Sequence, residues 1–161
     1  MPHVDNRNAP VVVGGEIATS LAFLDYLREG ASRKLDGLTE DQARRALVPS
    51  GTSLLGIVKH LTQVETYWIQ QRFAGFDVGF ADDGFSLISD DTIDSVRRAY
   101  REAASRTDDI ATSAGDPERP LARTTHGLTL RWALAHVTEE TARHAGHADI
   151  LRELLDGSTG R

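Results

Sequence analysis

Between Trp132 and His147 the chain sets His136, Glu140, His144 and His147 into one apolar-periodic stretch. At about 3.6 residues per turn, positions 136, 140 and 144 stack along one helix edge and position 147 falls beside them. Imidazoles and a carboxylate aligned in this way can ligate a cation or pass protons. Advancing by about 100° per residue gathers Leu130, Ala133, Leu134, Val137, Ala148, Leu151 and Leu155 into one arc. Glu140, His144 and His147 fall inside that arc or at its margin. Burying an unpaired carboxylate costs several kcal/mol, so Glu140 requires a partner.

An earlier helical stretch supplies one. His60 lies one step off its apolar stripe, in line with Val64, Tyr67 and Gln71. Facing the last helix, His60 would join Glu140 and His144 as two nitrogens and one oxygen around a metal ion. Three protein ligands with an open fourth position mark a catalytic rather than a structural site. The chain has no cysteine, so disulfides and thiolate ligands from the protein are excluded. Glu140 and His144 alone would be an ordinary i,i+4 pair, so the reading depends on His60. His147 is expected to support a ligand from behind and His136 to be structural, with proton relay open to both. Tyr67, Trp68 and Trp132 are expected to wall the pocket, His126 to sit on a loop rim and His3 in the N-terminal tail. Arg143 and Arg152 read as solvated or paired with Glu139 and Asp156, or as holders of an anionic substrate.

The elements that must position these side chains are helical. Ile17, Leu21, Leu24, Leu27 and Ala31 stripe a first helix over about Glu16 to Leu35. Thr39 to Gln42 has the form of a capping box and opens a short helix that stops before Pro49. Leu54, Ile57, Leu61, Val64 and Trp68 stripe a second long helix from Ser53 to Ala74, which Gly75 ends. After a loop over 75–91, Asp90 and Asp91 suit the start of a third helix from Thr92 to Thr112. The segment from Gly115 to Pro120 breaks it. Thr129 is placed to cap the last helix, which ends near Gly157. Four long helices and one short extra helix predict an all-α four-helix bundle as a single domain over 16–161, after an N-terminal segment, 1–15, expected to be flexible.

Composition narrows the partners. The 161 residues carry a formal charge of −6, which argues against nucleic acid, because phosphate binding needs a clustered basic surface. No window reaches the roughly eighteen apolar residues needed to span a membrane. Residues 1–15 lack the basic lead and apolar core of a secretion signal, so the expected location is cytoplasmic.

Several motifs occur together: Leu21 to Arg28, Leu47 to Gly51, Leu54 to Leu61 followed by Val64 to Trp68, and Glu139 to Arg152. In that order, over residues 16 to 160, they resemble the DinB-like superfamily and, within it, an actinobacterial branch. The resemblance implies an up-down-down-up bundle, a divalent metal, commonly zinc or nickel, held between helices, and a homodimer. The family pattern takes one histidine from the second helix and a His-x-x-x-His pair from the last, and Glu140 stands at the first position of that pair. A His, Glu, His set also occurs in the similar mycothiol-dependent maleylpyruvate isomerase. On that likeness His60, Glu140 and His144 are the metal ligands, and His147 falls where many members have glutamine. That isomerase carries a further thiol-holding domain, so isomerisation itself does not carry over. The implied activity is metal-dependent transfer of a low-molecular-weight thiol, such as mycothiol, to a small electrophile. Metal-assisted hydrolysis and a non-catalytic metal-binding stress or interaction protein stand as the alternatives.

Overall fold

The computed structural model describes residues 9–79 and 84–159; His3 and the first half of the N-terminal segment lie outside them. The chain forms α1 (Glu16–Arg33), α2 (Glu40–Arg44), α3 (Leu54–Glu65), a π-helical continuation of α3 (Thr66–Phe73), α4 (Ile93–Ala114) and α5 (Leu130–Asp156). There is no strand among the described residues, only an isolated bridge between Pro120 and Thr129. No helix among them is long and apolar enough to cross a membrane.

Side-chain pairs fix the helix directions. Glu16 meets Arg131 and Lys34 meets Asp149, so α1 and α5 run parallel. His60 meets His144 and Trp68 meets Trp132, so α3 opposes α5. Arg28 meets Asp108 and Ser32 meets Arg97, which turns α4 against α1. The order is up-down-down-up, as expected for a DinB-like bundle.

Two apolar clusters fill the interior. One gathers Leu35, Leu54, Leu55, Ile57, Leu61, Tyr100 and Leu151, and the other Leu24, Ile69, Phe73, Leu130, Leu134 and Val137. Between them lies a polar layer in which Arg28, Glu65, Thr107 and Thr141 are all buried. On α1 the buried stripe accordingly runs Leu24, Arg28, Ala31, while Leu27 is only half-buried.

Two local expectations need correction. The second long helix is not uniformly α: from Thr66 it widens to π, with Ala74 N–H donating to the Ile69 carbonyl at 2.9 Å. Thr129 occupies the N-cap of α5 but its hydroxyl caps nothing. The first amides of that helix are already bound by the preceding loop, Leu130 N–H by the Arg119 carbonyl at 2.9 Å and Arg131 N–H by the Pro117 carbonyl at 2.8 Å. The capping box at Thr39 forms as read, with Gln42 answering through its side chain.

Candidate metal centre

Half-way along the seam between α3 and α5, at the level of the polar layer, His60, Glu140 and His144 converge. His60 Nε2 lies 3.6 Å and His144 Nε2 3.4 Å from Glu140 Oε2. All three side chains are mostly buried, at 14%, 17% and 12% exposure. For a tetrahedral ion with arms of about 2.0–2.1 Å, adjacent ligand atoms stand about 3.3 Å apart, close to both separations. The donor set of two imidazole nitrogens and one carboxylate oxygen therefore fits a divalent ion by type and by spacing.

Electrostatics favour the ligand forms. Burial works to raise the Glu140 carboxyl, but the neighbouring His144, Arg143 and His60 outweigh it and hold the group below the ordinary carboxylate range. Burial lowers the His144 imidazole, and its neighbour His60 adds to that effect against the pull of Glu140. A carboxylate beside a neutral imidazole is the protonation state that metal ligation requires.

His147 stands behind this set. It is exposed, and its Nδ1 lies 3.4 Å from His144 Nδ1. With His144 Nε2 facing Glu140, its Nδ1–H can donate to His147, the outer hydrogen bond that fixes a ligand's tautomer. His136 lies one turn before Glu140, with its Nδ1 3.8 Å from Glu139. A second grouping able to hold an ion therefore exists in His136, Glu139 and Glu140. Glu139, however, is already committed to Arg143.

The aromatic residues form a continuous shelf next to the cluster. The His136 ring stacks on Trp132 at 5.0 Å, and Trp68 meets both edge-on at 4.9 Å, with Tyr67 5.1 Å from Trp68. Trp132 is 39% exposed, so the shelf has an open face. Arg143 pairs with Glu139 and Arg152 with Asp156, the paired state expected for both. His126 sits exposed on its loop, bonded to Thr125.

The chain matches the family model described as mycothiol-S-transferase over residues 19–157. It belongs to that family. Mycothiol S-transferases are DinB-like, and DinB-like families usually bind a divalent metal, for which this member offers the His and Glu groups above. A solved structure described as the conserved protein of locus from Enterococcus faecalis superposes with a TM-score of 0.63 at 14% identity, covering 91% of this chain and 100% of that one. The likeness supports the fold. No curated protein matches.

Sequence spacing did not reveal two features of this transferase-family site. Phe85, from the loop after the π segment, stacks on His60 at 4.0 Å and lies 5.4 Å from His144. Its loop can approach because Gly84 has φ +80° and passes so close to α3 that a Cβ there would come within 2.9 Å of the His60 Cα. The second is the Arg28–Glu65 pair, 37 residues apart, with Arg28 Nε and Nη2 donating to the two Glu65 oxygens at 2.8 and 2.6 Å. An apolar stripe carrying one arginine and another carrying one glutamate were the available signals.

Proposed function

We propose that this protein is a divalent-metal-dependent transferase that joins a low-molecular-weight thiol, mycothiol by family, to a small electrophile, with zinc or nickel held by His60, Glu140 and His144. The convergence of two imidazoles and one carboxylate at ion-ligand spacing beside an open aromatic shelf carries this reading. A bound divalent ion supplies Lewis acidity, which lowers the pKa of a thiol and provides a thiolate at neutral pH. The chain's residues do the rest. Glu140 stays ionised and lends negative charge to the ligand set, His147 holds the His144 ring, and Phe85 shields His60. Trp132, Trp68, Tyr67 and His136 receive the electrophile beside the cluster. The thiol gives up its proton to solvent and sulphur bonds to the electrophilic carbon; either a leaving group departs with its bonding pair, or the displaced π pair shifts onto the conjugated carbonyl and the adduct takes up a proton from solvent.

The test is metal content by mass spectrometry, run with thiol consumption against a halogenated and a conjugated acceptor. Metal-dependent consumption lost in His60→Ala is the expected outcome. Metal retention by that variant would overturn the ligand set, and metal without thiol turnover would overturn the transferase.

A further inference from the structure

We infer that the cleft behind Phe85 holds the hydrophilic, hydroxyl-bearing body of the thiol cosubstrate, while its sulphur reaches past the phenyl ring to the metal cluster. The inference rests on the transferase reading. The cleft measures about 460 Å³ and is lined by Arg44, Ser50, Thr52, Ser53 and Ser86, with Phe85 as a wall. Phe85 is shared, since it lines the cleft and its ring stacks on His60. From Ser53 to His60 is seven residues of helix, about 10 Å of rise, a span that a short thiol-bearing arm bridges.

The lining specifies the ligand chemistry. Four of its side chains are hydroxyls, which both donate and accept, as a polyol does. Ser50 and Thr52 bond only each other, at 3.0 Å on the exposed side, an arrangement a ligand's hydroxyls can replace. Arg44 is the cleft's single cation, and its Nη2 is already spent on the carbonyls of Ile88, Ser89 and Asp91. A neutral hydroxylated ligand suits this lining better than an anion. A larger cleft of about 600 Å³ lies between α1 and α4, but Arg28, Arg33 and Arg97 there are paired with acidic neighbours, and its lining does not include Phe85, the residue that joins the smaller cleft to His60. Along α3 and its π-helical continuation the order is thus polar cleft at Ser53, ion ligand at His60, aromatic shelf at Trp68: one end for the thiol's body and the other for its acceptor.

The test compares mycothiol with N-acetylcysteine, which carries the sulphur end without the sugar body, and uses the neutral, sulphur-free N-acetylglucosaminyl-inositol as a binding probe. The double variant S50A/T52V removes two hydroxyls, and S86F fills the cleft. S50A/T52V should raise KM for mycothiol about tenfold, equivalent to about 1.4 kcal/mol, and leave KM for N-acetylcysteine within about twofold. Saturation-transfer NMR should detect the probe on the wild type and equally on His60→Ala, but not on S86F. Equal KM changes for both thiols, or probe binding that survives S86F, would overturn the cleft assignment while leaving the transferase intact. Absence of turnover with either thiol would instead sink the transferase reading. The probe experiment would then decide the cleft alone, with loss of binding in S86F supporting a polyol site and persistence or absence of binding in the wild type overturning it.

Discussion

Two groups of ionisable side chains lie in the middle of the bundle, and they are built in opposite ways. At the α1–α3–α4 junction, Arg28 is 6% exposed and Glu65 is 0% exposed, and the guanidinium is engaged at 2.5–2.9 Å by Glu65, Asp25 and Asp108. At the α3–α5 seam, two imidazoles stand 3.4 and 3.6 Å from one carboxylate. The first group is closed by contacts within the protein. The second has the spacing that ligands of an ion would have, and it sits where the bundle meets a loop and an aromatic shelf. Burial with matched partners needs nothing further, whereas burial with spaced donors leaves room for a ligand between them.

The largest effect is expected from breaking the closed group. Arg28→Ala leaves Glu65 buried without its cation and should cost about 3–5 kcal/mol, read as a lower urea midpoint. Replacing both partners, with Arg28→Met and Glu65→Leu, should recover most of that loss, because an apolar pair of similar volume removes the desolvation penalty. A double variant as unstable as the single one would show that the pair does more than satisfy itself.

The seam should respond in the reverse sense. His144→Ala should retain helical circular dichroism yet lose metal affinity by more than the roughly 10–100-fold typical of losing an outer-shell partner. Glu140→His restores the commoner donor set and should still bind an ion. If His144→Ala instead unfolds the protein while keeping its metal, the contrast between the two groups collapses.

A smaller effect concerns the loop that seats Phe85. Lys59 Nζ donates to the Ser86 carbonyl at 2.7 Å and to Asp91 Oδ2 at 2.9 Å, and Ile88 N–H donates to the same oxygen at 2.8 Å. Burial acts to raise the Asp91 carboxyl, but Lys59, the Ile88 amide and Arg44 together hold it below the ordinary value of 3.8. A lowered folded-state pKa stabilises the protein above the unfolded value, and the gain is lost as pH falls through the folded one. Asp91→Asn should therefore cost about 1–2 kcal/mol at neutral pH, with the gap to wild type closing below pH ~4 in denaturation measured across pH. A gap that persists in acid would assign the loss to geometry rather than charge.

What the sequence disclosed follows the same division. Stripes and caps placed the long helices to within a few residues, because signals such as the Thr39 capping box and the Gly157 stop act on their own neighbours. The three spaced donors were legible because Glu140 and His144 share a helix edge and a glutamate on an apolar face demands a partner. Arg28 and Glu65 were not read as a pair, since each satisfies the other only through the fold. The π segment left no trace in the hydrophobic spacing of Thr66 to Phe73. Phe85 reaches His60 from a loop with no period to read. Thr129 had the right type and place for a cap, and lost the role to carbonyls from the loop before it.

The aromatic shelf gives the smallest stability effect and the sharpest functional one. Trp132 keeps 39% of its surface exposed, so Trp132→Ala should cost well under the ~3–5 kcal/mol of a buried aromatic. The variant removes the ring on which His136 stacks and the edge partner of Trp68, and leaves His60, Glu140 and His144 in place. Metal content should stay at wild-type level, while KM for a planar electrophile rises about tenfold, the loss expected when one stacking contact of about 1–1.5 kcal/mol disappears. KM for the thiol should not move. A rise in both constants would place the thiol on the shelf as well, and would mean that the polar cleft and the aromatic shelf do not divide the two substrates.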